Sequence, residues 1–196
     1  MSDKKEITRD DLMPMAEYGP IRKQRRAEIT AMKPARRVAI GPDATFYFES
    51  FETMWHQVHE MLHIEKGGED QIADELAAYN PLIPGGRELV ATLMFEIDDP
   101  ARRAKFLAGL GGVEETVSLR FDGEVIAGQP EEDVDRTSAE GKASSIQFLH
   151  FPFTDAQAKK FKAPGCEVQL AIGHAKYGHI AILSEATRTA LAEDLD

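Results

Sequence analysis

The chain has 196 residues, 42% of them hydrophobic, enough to bury the core of one large domain. No apolar run approaches the ~18 residues that span a bilayer, and the opening MSDKKEITRDD lacks the apolar stretch of a signal peptide. A cytoplasmic protein without membrane contact is therefore expected. The net charge of −11 argues against non-specific nucleic-acid binding, which needs phosphate neutralisation. A single cysteine, Cys166, excludes an internal disulfide framework and a paired-cysteine redox or zinc motif. With no base beside it in sequence, Cys166 reads as a small packed residue.

The charge is uneven. Residues 1–37 carry ten Lys/Arg against six Asp/Glu, whereas the remainder carries 13 against 28. The basic cluster Arg22, Lys23, Arg25, Arg26, Lys33, Arg36 and Arg37 reads as a solvated helix face, as a docking patch for an acidic partner, or as one for the chain's own acidic surface.

In chain order, Thr8 with Asp11 resembles a capping box and predicts a short helix from Arg9. Gly19-Pro20 breaks the run, and Pro20 suits the first turn of a second helix ending near Met32. Residues 37–41 and 44–49 flank Gly41-Pro42-Asp43 and read as a hairpin. Ser50 caps the next helix, over 51–66, which holds the only tryptophan. On a helical wheel Phe51, Trp55, Val58 and Leu62 form its core stripe. Glu52, His56, His59 and His63 form a second stripe on the flank, facing a cleft or solvent. Gly67-Gly68 stops that helix, and 69–79 predicts another.

Residues 88–97 form a mostly apolar strand. Asp98 or Asp99 caps a helix with Pro100 near its start. Asp122-Gly123 joins strands 116–121 and 124–127 in a tight hairpin. Residues 128–143 have no apolar periodicity and read as a mobile surface loop. A strand over 144–153 holds His150. Thr154 caps a short helix to Lys162, strands at 167–172 and 180–183 flank a loop over 173–179, and Ser184 caps a last helix. Hairpins imply antiparallel pairing. The predicted fold is α+β: an antiparallel sheet or partial barrel of about eight short strands packed by helices, with residues 1–35 as an N-terminal helical segment and 36–196 as one domain.

One string carries catalytic precedent: His59-Glu60-Met61-Leu62-His63 fits H-E-x-x-H. Histidines at i and i+4 point one way from a helix and can share a zinc ion, while the glutamate takes a proton from metal-bound water. A catalytic zinc also needs a third protein ligand. The extended motif is absent: Lys66 stands in place of its glycine and Glu69 in place of its third histidine. A second candidate set joins the helix to His150, His174 and His179 from later segments, with Glu60 and Glu65 as carboxylates. Imidazole with carboxylate suits iron or zinc.

Several stretches resemble bacterial proteins grouped as domain of unknown function 3501: ITRDDLMP (7–14), RRVAIGPDATFYFE (36–49), the segment around Glu60-Met61-Leu62 and Glu65, ELAAYNPLIP (75–84), IQFLHFPF (146–153) and, more loosely, GHAKYGH (173–179). The family has no assigned activity. Its members are commonly encoded beside a rubrerythrin-like diiron protein and an iron–sulfur oxidoreductase subunit. The resemblance thus implies an accessory role, with such proteins as partners, in oxidative-stress handling. Relatives often carry Gln and Arg where this chain has His59 and His63, which favours Glu60, Glu65, His150 and His174 as a shared site.

Three readings follow. The first is a cytosolic accessory or binding protein of a metal-dependent redox system, itself holding iron, zinc or manganese through Glu60 with His150 or His174, aided by His59 and His63. The second is a zinc hydrolase with Glu60 as catalytic base. The third is a non-catalytic interaction module.

Overall fold

A computed structural model describes residues 4–131, 137–138 and 141–196. Strands β1 (Arg37–Ile40) and β2 (Ala44–Phe48) form the predicted first hairpin, followed by β3 (Glu88–Phe95), β4 (Val117–Phe121), β5 (Glu124–Ala127), β6 (Gln129–Pro130), β7 (Ile146–Pro152), β8 (Gln169–His174) and β9 (Tyr177–Ile182). Helices are α1 (Met15–Met32), α2 (Phe51–Glu65), α3 (Glu69–Tyr79), α4 (Pro100–Leu107), α5 (Asp155–Lys162) and α6 (Glu185–Ala192). All pairing is antiparallel. One sheet has the order β1-β2-β3-β7-β6, the other β5-β4-β8-β9. The fold is α+β, as predicted.

Alternation along β3 explains the layering, because successive side chains point to opposite faces. Leu89, Ala91, Leu93 and Phe95 join Leu149 and Phe151 of β7 in a core shared with Leu119, Phe121 and Leu170 of the second sheet. Val90 and Phe148 face the other way, into a second core with Tyr18 of α1 and Met54, Trp55, Val58 and Leu62 of α2. The first sheet is thus covered on one face by the second sheet and on the other by a helical layer. Ile7 and Leu12 are buried in that layer, so the N-terminal segment is part of it. Tyr177 pins the two sheets together: its hydroxyl donates to the Ile40 carbonyl at 2.9 Å and accepts from the Asp43 N–H at 3.0 Å. Gly41 (φ +66°) makes room, since a Cβ there would lie 2.7 Å from that hydroxyl.

The expected caps form: Ser50, Asp99, Thr154 and Ser184 each accept from a backbone N–H in the first turn of the helix they precede. Asp122 and Gly123 both take positive φ, as their two-residue turn requires.

Three expectations are corrected. Gly19-Pro20 does not break α1, which starts at Met15 and runs through both. Pro20 leaves the Ala16 carbonyl without its helical donor, but both residues are exposed, where water can serve. Residues 173–179 are not a loop: β8 and β9 continue into a tight hairpin, with His174 paired to Tyr177. Within 128–143, Gln129 and Pro130 pair with β7 as β6; residues 132–136 and 139–140 of that predicted loop lie outside the described residues. Among the described residues, no helix is long and apolar enough to cross a membrane.

Candidate functional site

The polar flank of α2 is only partly covered: α1 lies across its middle, where His59 is buried, while His63 lines a cleft beside it. Tyr18 and Arg22 are four residues apart on α1, and His56 and Glu60 four apart on α2, so the two pairs meet across the seam. Arg22 grips Glu60 with two bonds, Nε to Oε1 and Nη2 to Oε2, both 2.8 Å. The fully buried Tyr18 gives its one phenolic proton to Glu60 Oε1 at 2.8 Å. Its oxygen lies 3.2 Å from His56 Nδ1 and must therefore accept, which sets the tautomer of His56. The paired guanidinium, chiefly, holds the Glu60 carboxyl down at about 2. Burial and the neighbouring carboxylate push the Tyr18 phenol up. A carboxylate so held is a poor proton acceptor, and Glu60 is not placed to act as a general base.

His59 is buried completely and both ring nitrogens are in use. Nδ1 lies 2.7 Å from the Trp55 carbonyl, to which it can only donate, and Nε2 accepts from the Met13 N–H at 3.0 Å. The imidazole is sandwiched between Trp55, at 3.7 Å between ring centres, and Tyr18, at 4.9 Å. Burial lowers its pKa and keeps it neutral. With no lone pair to spare, it offers nothing to a metal in this arrangement. His63 packs edge-on toward Tyr18, 6.1 Å between centres.

The other predicted ligands are dispersed. Glu65 accepts from Gln71 at 2.8 Å. His150 Nδ1 bonds Glu88 at 3.0 Å, and that carboxylate raises its pKa. His174 Nδ1 accepts the Lys176 N–H at 3.2 Å in the last hairpin. No group of three or more His, Cys, Asp or Glu placed to hold a metal ion exists among the described residues. Cys166 is half-buried, its thiol pushed up by burial.

The basic cluster docks largely on its own chain. Besides Arg22, Arg25 stacks over the Trp55 ring at 4.6 Å and bonds Glu28. Arg36 is almost fully buried, pairs with Asp194 and donates to the Phe48 and Glu49 carbonyls. Arg37 reaches Glu96 at 3.5 Å. Lys23, Arg26 and Lys33 are exposed.

Beside the seam lies a cleft of about 800 Å³, between the N-terminal strap (residues 7–14) and the junction of α2 with α3. Leu12, Met13 and Met15 form one wall, Leu62 and Ile72 the other. α2 fixes the strap wall directly: Trp55 Nε1 donates to the Asp11 carbonyl at 2.8 Å, and His59 holds the Met13 N–H. His63 and Lys66 complete the lining, with Arg9 and Glu69. Tyr18 and Lys66 are absent from the sequence-derived candidates, and Arg22 figures there only in the basic cluster, not as a partner of Glu60. The matched four-residue spacings of Tyr18–Arg22 and His56–Glu60 were the available signal for Tyr18 and Arg22.

Taken together, these features define an α+β protein with two stacked antiparallel sheets and a helical layer whose polar residues are spent on joining α1 to α2. The chain belongs to the family described as protein of unknown function (DUF3501), whose profile matches residues 6–195. It is similar to a protein of unknown function from Burkholderia pseudomallei K96243, known from a crystal structure, with 39% identity and a TM-score of 0.90 over 97% of this chain and 99% of that one. No curated protein matches.

Proposed function

We propose that this protein works as a non-catalytic binding module, and that its H-E-x-x-H helix is a building element of the binding face. One observation carries the reading: the groups that hydrolysis would need are committed to the fold. His59 uses both nitrogens, and Glu60 is held by Arg22 and Tyr18. The zinc-hydrolase reading needs those same atoms. The metal-linked accessory reading needs Glu60 beside His150 or His174, but these lie on other elements, each with its Nδ1 engaged, by Glu88 and by the Lys176 N–H. The binding half of that reading is kept, in a form that requires no bound metal.

Metal uptake tests this. Untagged protein purified without chelator is titrated with zinc, alongside His59→Ala and Glu60→Gln variants. The expected result is no stoichiometric uptake by any of them. Near-stoichiometric zinc in the wild type, lost in His59→Ala and retained with loss of peptide or ester hydrolysis in Glu60→Gln, would overturn the reading and restore the hydrolase.

A further inference from the structure

The cleft beside the α1–α2 seam combines three features that point to one ligand chemistry. Its walls are apolar and include two thioethers, Met13 and Met15, which adapt to irregular aliphatic shapes. Its volume, about 800 Å³, falls within the roughly 300–1,000 Å³ of small-molecule sites. Its strap wall is preformed: Trp55 Nε1 donates to the Asp11 carbonyl, and the Met13 N–H donates to His59 Nε2.

Charge on the rim is specific. Arg9 is taken by Glu69, with Nη2 2.7 Å from Oε1 and Nε 3.1 Å from Oε2. Lys66 is exposed and makes no ion pair among the described residues. Its backbone is left-handed (φ 57°), the conformation that closes α2 and that glycine adopts without steric cost. Two glycines follow immediately in sequence, yet a lysine occupies the strained position. The cleft is thus lined by an exposed lysine that makes no ion pair among the described residues.

We propose that this cleft binds an unbranched amphiphile with a monoanionic carboxylate head. The aliphatic chain lies along Leu12, Met13, Met15, Leu62 and Ile72, and the head pairs with Lys66. The assignment rests on the binding-module reading above and supplies its ligand class.

Dodecanoate, kept below its micellar concentration, is titrated into the full chain by calorimetry, with dodecanol as the uncharged control and phosphatidylglycerol vesicles as the lipid-headgroup arm. The expected result is saturable, one-to-one binding of dodecanoate, at least tenfold tighter than dodecanol, and no co-sedimentation with vesicles. Lys66→Gly should lose that tenfold preference while unfolding at the same temperature or higher, since glycine relieves the backbone. A role for Lys66 in closing the helix alone would leave binding unchanged. Met15→Gln should weaken the acid and the alcohol alike. Absence of dodecanoate binding, equal binding of dodecanol, an unchanged preference in Lys66→Gly, or capture by vesicles alone would each overturn the proposal. Because zinc uptake is scored separately, failure here leaves the binding-module reading intact, whereas stoichiometric zinc overturns that reading.

Discussion

The two faces of the first sheet are packed by different means. Toward the second sheet the contacts are mainly apolar and aromatic, beside the hydrogen bonds of Tyr177, with Phe48 and Phe151 6.3 Å apart between ring centres and Phe121 set against Phe153 and Phe161. Toward the helical layer, Val90 and Phe148 meet a seam whose fit depends on directed bonds: Arg22 and Tyr18 on Glu60, His59 on Met13 and Trp55, and Trp55 on Asp11. Apolar packing is tolerant of exact partners, whereas directed bonds fix register and orientation. The sandwich core therefore buries the larger set of apolar side chains, and the seam fixes where α1 and the N-terminal strap sit.

This contrast can be broken from either side. The largest loss is expected in the sandwich: Phe151→Ala, at a fully buried ring, should cost about 3–5 kcal/mol by chemical denaturation. Next is the buried ion pair that ties the C-terminal end to the start of α2. Arg36→Met strands Asp194, whose carboxyl burial already pushes up despite Arg36. Protonation then softens the damage, so the loss should fall near about 3 kcal/mol, the lower end for a broken buried pair.

Glu60→Gln removes a charge-assisted bond set and should cost about 1.5–3 kcal/mol at neutral pH. Its pH dependence sharpens the comparison. The carboxyl is lowered from 4.5 to about 2 in the fold, so its contribution is complete above about 4.5 and disappears as pH falls toward 2. Wild type and Glu60→Gln should therefore converge in stability across that interval, while Phe151→Ala stays offset from wild type by the same amount. The smallest effect is expected at the exposed Arg9–Glu69 pair, where Arg9→Ala should cost no more than about 0.2–1 kcal/mol, less at high salt.

Local rules made most of the fold legible. Ser50, Asp99, Thr154 and Ser184 announced helices, and Asp122-Gly123 announced a hairpin, because caps and turns are set by neighbours in sequence. Pro20 misled because the tolerance of a proline depends on whether the carbonyl it deprives faces water, a tertiary property. The site was harder to read. The wheel placed Glu52, His56, His59 and His63 on one flank, but nothing within α2 told that α1 would bury His59 and leave His63 beside a cleft. A histidine with a free lone pair and one with both nitrogens bonded look alike in sequence, and only the approach of Met13 from a distant strap decides between them. Of the six predicted ligands, His59, Glu60, His63 and Glu65 share α2, but His150 and His174 sit on β7 and β8, where they bond Glu88 and Lys176 instead.

The central claim, that the H-E-x-x-H helix builds the binding face and holds no metal, is tested most directly by the imidazole nitrogens themselves. Long-range proton–nitrogen NMR reports which nitrogen of each histidine is protonated, recorded without zinc and with one equivalent. The structure predicts His59 protonated on Nδ1 and unprotonated on Nε2, both resonances unmoved by zinc. Movement of His59 Nε2 together with His63 at substoichiometric zinc would contradict it.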